Sequence, residues 1–309
     1  MKPGFIDRWA VALVGLILAA HVAVALWSAS GQSVTADEIL HVTNGYFIDR
    51  YGDYRLQPEN GVLPQRLHGL AAYVTHAPIP ELRDNEYWRT SSNLVVCHQF
   101  FYETGHDHFP MLMVARALNT LFSVGTGCLV FLWARRLGGA ATGLVATILY
   151  AREPNIPAHA ALATSDMAAV FFLLGSASVF WWQLDRPTPA RIAASVALFG
   201  LACVAKYSAV LLVPLFVGLL VWRWGQEPAW RPRAPRLVAT LVLTHAAGAV
   251  AIIWLFYGFK FSGFSPALPG AERYLVRWEE ILPYIGWQQH VVQWCRDWKL
   301  LPDPFLYGY

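Results

Sequence analysis

Charged side chains are scarce in this 309-residue chain: 14% are Asp, Glu, Lys or Arg, against about 25% in a soluble domain. Residues of hydrophobic type make up 56% and gather in long runs, which excludes a water-soluble globular enzyme and requires a polytopic membrane protein. Cysteine is also sparse, and four cannot build a disulfide framework. Cys128 and Cys203 fall in apolar runs as packing residues; Cys97 and Cys295 could both face outward and pair, a geometry that sequence does not test, and the unpaired reading is favoured. Gly-rich phosphate loops, nucleophile elbows and Cys-x-x-Cys pairs are absent. That speaks against nucleotide-using cytoplasmic chemistry, so any activated donor has to be presented in the membrane. A signal-peptide cleavage pattern is absent too, and the first apolar run has full membrane length, so it reads as a retained helix.

Aromatic residues and apolar runs are what the chain has in quantity. Fourteen Trp suit interfacial belts and a carbohydrate or lipid-headgroup surface. Seven spans are expected, at about 9–27, 110–133, 139–150, 163–182, 192–205, 208–222 and 237–258. The chain divides into a first transmembrane helix (1–27), a long non-cytoplasmic loop of short amphipathic helices (28–109), a transmembrane bundle (110–258) and a non-cytoplasmic tail (259–309). The fold class is all-α. With the N-terminus inside, Lys2, Arg8, Arg135, Arg136, Arg186, Arg191, Arg223, Arg231, Arg233 and Arg236 all lie on the cytoplasmic side. Asp37, Asp166 and Lys206 then meet at the outer boundary.

Chemistry is expected first in the polar stretch 35–47, read as a helix on the membrane surface. There Asp37, His41 and Asn44 share one face, and Ile39, Val42 and Tyr46 another. Thr35 and Glu38 have capping-box spacing, so Glu38 is either a cap or an active-site acid. The cap does not need Asp37, although the helix dipole favours an acid there. Asp166, at the mouth of the fourth span, is an N-cap neighbour or a functional carboxylate entering hydrocarbon. Lys206 divides two short apolar runs and either snorkels or offers a point charge to a phosphate. Eight outer histidines, His41, His68, His76, His98, His106, His108, His159 and His290, read as ordinary surface residues. The spacing of His106-Asp107-His108 is too short to indicate a metal centre.

An ordered set of motifs resembles the lipid-carrier-dependent glycosyltransferases of the GT-C class, above all the protein O-mannosyltransferase and lipid A aminoarabinose transferase families. The set runs through Asp37-Glu38, Gln57-Pro58-Glu59-Asn60-Gly61-Val62-Leu63-Pro64, His98-Gln99-Phe100-Phe101-Tyr102-Glu103, Arg116-Ala117-Leu118-Asn119 and Arg135-Arg136-Leu137-Gly138. It continues with Pro154-Asn155-Ile156-Pro157-Ala158-His159, Thr164-Ser165-Asp166 and Lys206-Tyr207-Ser208. The resemblance covers most of 9–258. It implies Asp37 as catalytic base, Asp166 in acceptor positioning and Lys206 on the lipid phosphate. Glu38 joins Asp37 and Asp166 in the catalytic set; Lys206, Arg66, Glu59 and His159 form the substrate-binding set. Where the family reads Pro-Glu-His-Pro-Pro-Leu, this chain has Pro58-Glu59-Asn60-Gly61-Val62-Leu63, so no role carries over to Asn60. The chain also stops where such enzymes continue, as a fragment, a truncated reading frame or half of a split enzyme would.

The expected activity is transfer of a sugar from a polyprenyl-phosphate carrier to a hydroxyl on a glycan, lipid or protein, with inversion, at the periplasmic face of a bacterial inner membrane. No cofactor is expected and no metal is required; the lipid-linked sugar is a substrate, the membrane lipids are partners, and nucleic acid is not. Two readings from other classes compete. One is a transporter or flippase of the lipid-linked sugar, although no internal repeat is evident. The other is an inactive truncated paralogue acting in assembly.

Overall fold

The computed structural model describes residues 5–82, 84–228, 231–268 and 273–309; Lys2 lies outside the described residues. The first apolar run forms α1, Phe5–Ser30. Its small residues Ala10, Ala25 and Ala29 are buried, while Val11, Leu16, Val24 and Trp27 face outward. Small side chains let backbones approach closely in lipid. Ala10 thereby packs with Phe131 and Ala140, and Ala25 and Ala29 pack with Ala160 and Ala161.

The second and third expected spans are one run of helical hydrogen bonding, α6 (His108–Arg152), broken at Gly139 with φ 88° and ψ −179°. Glycine adopts that φ without steric cost. The chain doubles back there: the Tyr150 hydroxyl meets Ser123 Oγ at 2.9 Å, and Gly143 sits against Phe131. The arms before and after Gly139 are therefore antiparallel neighbours. A short α7 (Asn155–Ala160) leads to α8 (Asp166–Asp185), α9 (Pro189–Ala205), α10 (Leu212–Gln226) and α11 (Ala234–Phe256). Thr188 caps α9 and Pro189 opens it, the position where a missing N–H costs nothing. Among the described residues, five helices are long and apolar enough to cross a membrane, α6 counting once, and α9 is shorter. No strand occurs among them. The protein is an all-α, polytopic membrane bundle.

Polar ties hold the bundle where apolar packing between lipid-exposed helices gains little. His21 Nε2 lies 2.8 Å from Ser123 Oγ, and Ser195 Oγ bridges Gln183 and His245 at 3.2 and 2.9 Å. Charge is sorted to the two ends of α8, about 30 Å apart at 1.5 Å per residue. Asp185 meets Arg223 at 3.0 Å and Arg136 at 3.6 Å. Asp166, at the other end, meets Lys206. The arginine-rich connections and the Lys206 turn thus lie at opposite ends of the bundle.

Residues 28–109 fold into a layer with a core of its own. It contains α2 (Ala36–Tyr51), α3 (Val62–Val74), the single turn α4 (Glu86–Arg89), and α5 (Asn93–His98), which runs into a π-helical turn at Gln99–Glu103. The surface position expected for α2 is corrected here: it is buried from Leu40 to Ile48, all round the helix. The cause is its crossing with α3. Gly45 meets the Gln65 carbonyl, Gly69 meets the Gly45 backbone, and a methyl group at either site would collide. Phe47, Trp88, Phe100 and Phe101 fill the core beneath.

The segment after α11 carries α12 (Trp278–Ile281), α13 (Gln288–Asp297) and α14 (Asp303–Gly308). It docks on residues 51–58. Tyr54 N–H donates to the Gly263 carbonyl (2.8 Å), Ser265 N–H to Asp53 Oδ2 (3.1 Å) and Ser265 Oγ to the Tyr51 carbonyl (2.6 Å). The four cysteines are free. Cys97 and Cys295 do not pair, Cys97 being fully buried in the core of the 28–109 layer.

Candidate active site

The turn Gln57–Gly61 joins the elements of the site. At Gly61 the chain passes directly over the Ala205 carbonyl, where a Cβ would not fit. This seats the turn on the end of α9, next to Lys206. Asn60 Oδ1 accepts from Ser165 Oγ at 3.1 Å, one residue before Asp166. Its side chain also bonds to His41 on α2. The Tyr207 hydroxyl lies 3.0 Å from the carbonyls of both Pro58 and Phe305. One short turn therefore links α2, the start of α8, the end of α9 and the C-terminal segment.

Asp166 and Lys206 form an ion pair, with His159 Nδ1 3.8 Å from the second Asp166 oxygen. All three side chains are partly open to solvent, at 46, 36 and 48% for Asp166, Lys206 and His159. Lys206 has extended backbone (φ −163°, ψ 144°) between α9 and the 3₁₀ turn Tyr207–Leu211. An ammonium has three donors, so the Asp166 contact orients it and leaves two free.

Asp37 is exposed in the first turn of α2. It lies within electrostatic range of Glu59, whose carboxyl is pushed up by the protein packed around it and further by the Asp37 charge. Glu59 is nonetheless open to solvent, as a group on the wall of a concavity would be. His41, one turn after Asp37 and on its face, is close enough to Lys206 to feel its charge. Asp37, Glu59, Asp166, Lys206 and His159 thus occupy the same end of the bundle.

Glu38 has a different position from its neighbour. It completes the capping box with Thr35 and is fully buried. Arg116 Nε and Nη2 donate to its two oxygens at 2.8 and 2.9 Å, and Ala163 N–H adds a bond at 3.2 Å. Desolvation pushes the carboxyl up, but the Arg116, Thr35 and Ala163 bonds outweigh it and hold it below the usual glutamate range. Arg116 also donates to the carbonyls of Ala29, Gln32 and Ser33 at 2.6, 3.2 and 2.9 Å. This buried fork locks α2 to α6 and to the approach to α8. Arg66, expected beside Lys206, is instead engaged by Asp49 (2.6 Å) and the Phe256 carbonyl (3.2 Å).

His41 and His68 are not surface residues, a second correction to the sequence reading. Both are buried, with ring centroids 5.5 Å apart. Burial, then the His68 and Lys206 charges, lowers His41 well below the usual histidine range; burial lowers His68 to about 4. His68 Nε2 lies 3.1 Å from Asn119 Oδ1, and Asn119 Nδ2 donates to the His159 and Ala160 carbonyls at 3.2 and 3.1 Å. A polar seam thus runs beneath the ion pair from α2 to α7. Sequence reasoning assigned no role to Arg116, Asn60 or Asn119. A signal for Arg116 was available, since an arginine inside an apolar run rarely lacks a partner.

An apolar groove of 330 Å³, lined by the residue that follows Lys206, opens between Tyr207, Val210 and Val213 on one side and Trp287, Val291 and Phe305 on the other.

Residues 104–254, just under half of the chain, match the family model described as dolichyl-phosphate-mannose-protein mannosyltransferase. Over those residues the chain is similar to that family, which supports a GT-C-type glycosyltransferase. No curated protein and no solved structure matches it. The matched stretch holds Arg116, His159, Asp166 and Lys206 and stops short of Asp37 and Glu59. The matched stretch therefore carries Lys206 with its partners Asp166 and His159, and the preceding layer carries Asp37 and Glu59.

Proposed function

We propose that the protein transfers a sugar from a polyprenyl-phosphate carrier to a hydroxyl acceptor, at the non-cytoplasmic membrane face. The acceptor oxygen bonds to the anomeric carbon as the bond from that carbon to the phosphate oxygen breaks, with inversion. Asp37 takes the acceptor proton. The electron pair leaves with the lipid phosphate, which Lys206 meets with a fixed positive charge. Asp166 and His159 orient Lys206 and border the acceptor, and Glu59 lies beside Asp37 on the substrate side. The observation that supports the reading is the Lys206–Asp166–His159 cluster at the end of the bundle that also bears Asp37 and Glu59, with Tyr207, the residue after Lys206, on the wall of an apolar groove. A lipid phosphate at Lys206 could leave its chain in apolar surroundings while its sugar reaches Asp37. Orientation rests on the arginines around Asp185, which belong inside by the positive-inside rule.

The test is Asp37→Asn in the full chain, assayed in membranes with a radiolabelled polyprenyl-phosphate sugar. Transfer is expected to disappear while insertion and abundance stay normal; unchanged transfer removes Asp37 from the mechanism. Movement of labelled carrier across vesicles without product would favour transport instead.

A further inference from the structure

Helix α13 and its two flanking residues carry an apolar stripe that nothing among the described residues covers. Trp287, Val291, Trp294 and Trp298 recur at i, i+4, i+7 and i+11, on one helix face, and are 76, 52, 56 and 71% exposed. A second face, formed by Val292 and Cys295, turns inward. The third carries His290, Gln293 and Asp297, all exposed. Around the helix the order is protein, bare aromatic stripe, water-loving side chains.

We infer that α13 lies in the membrane interface, its Trp287–Trp298 stripe seated among lipid headgroups and upper acyl chains at the end of the bundle that bears Lys206. The first reason is continuity. Trp287 and Val291 share a groove with Val210 and Val213, which are 52 and 50% exposed on the apolar flank leading into α10, a helix fit to span the bilayer. The stripe thus extends a lipid-facing surface. The second is composition, because tryptophan is the residue enriched at the boundary between hydrocarbon and water, and helices with one apolar and one polar face lie in that plane. The third is anchorage: Trp254, near the end of α11, donates its indole N–H to the Leu300 carbonyl at 2.9 Å, which fixes the end of the segment to the rim of the bundle. Lys299, exposed beside Trp298, can snorkel to the phosphates. The inference rests on surface geometry and holds whatever reaction the neighbouring site performs.

The experiment places nitroxides on single cysteines at 287, 290, 293, 294, 297 and 298 of the full chain in phospholipid nanodiscs, the native cysteines replaced. Each label is read for collision with oxygen, which concentrates in lipid, and with a water-soluble nickel chelate. Labels at 287, 294 and 298 are expected to favour oxygen and those at 290, 293 and 297 nickel, alternating with the 3.6-residue period. Nickel access along the stripe overturns the inference, and so does shielding from both agents, which would mean a second copy or another protein covers it. Should the cysteine replacements prevent insertion, lipids brominated near the headgroup provide the second readout. They should quench a larger share of Trp emission in the native protein than in Trp294→Ala/Trp298→Ala, and equal quenching sinks the idea.

Discussion

Replacing Arg116 by leucine removes the partner of a carboxylate with no access to water. The guanidinium makes two bonds to Glu38 and three to the carbonyls of Ala29, Gln32 and Ser33. The variant leaves Glu38 buried with only the Thr35 and Ala163 donors and those three carbonyls without their cation. Breaking a buried pair from one side costs about 3–5 kcal/mol. Glu38→Gln is milder, because it keeps the shape and one acceptor and leaves Arg116 on its carbonyls; a loss of about 1.5–3 kcal/mol is expected. The double variant Arg116→Leu/Glu38→Leu should lose less than the sum of Arg116→Leu and Glu38→Leu made singly, since no charge is then stranded. Unfolding free energies in bicelles, by steric trapping or detergent titration, measure them all. An Arg116→Leu protein within about 1 kcal/mol of wild type would refute the reasoning. Activity separates the two roles open to Glu38. If it only positions α2, transfer by Glu38→Gln follows the folded fraction; a stable Glu38→Gln protein devoid of activity would place Glu38 in the chemistry.

Three further outcomes are expected. Lys206→Met should lower transfer by about 10²–10³-fold, the usual loss on removing one donor to a developing anion, with Lys206→Arg retaining part of it; equal activity in all three proteins argues against a phosphate contact. Stability should fall as pH drops from about 6.5 toward 4, because the unfolded state protonates His41 and His68 first while the folded state keeps them neutral. For His68 alone the loss is on the order of 3 kcal/mol, and His68→Asn should flatten the slope in that window. Gly45→Val should destabilise by about 1–3 kcal/mol or more through overpacking at the α2–α3 crossing, as measured by thermal unfolding in detergent; an unchanged midpoint would refute the close approach.

Much of the fold was legible because a bilayer forces a simple code, in which long apolar runs become helices. The reversal within α6 was foreseen from Arg135-Arg136-Leu137-Gly138, and the cap of α2 from Thr35 and Glu38. The burial of α2 was not, since a sequence does not reveal that Gly45 will meet Gly69 and draw His41 and His68 inside with them. The meeting of Asp166 and Lys206 at one end could be read from topology. The linking role of Asn60 could not, because it depends on a turn seated over the Ala205 carbonyl, a contact between residues far apart in sequence. The pairing of Arg66 with Asp49 was likewise not legible, since the two lie on neighbouring helices.

Helix α8 is moored by charge at both rims, to Lys206 above and to Arg136 and Arg223 below. Partners at both ends resist sliding of this helix along its axis. Bilayers thicker or thinner than its span must then be met by tilt or by deformation of the surrounding lipid, and either response displaces Asp166 and Lys206 together. For the transfer proposed at this site, acyl-chain length becomes a control: turnover should peak in lipids matched to that span and decline on both sides of it.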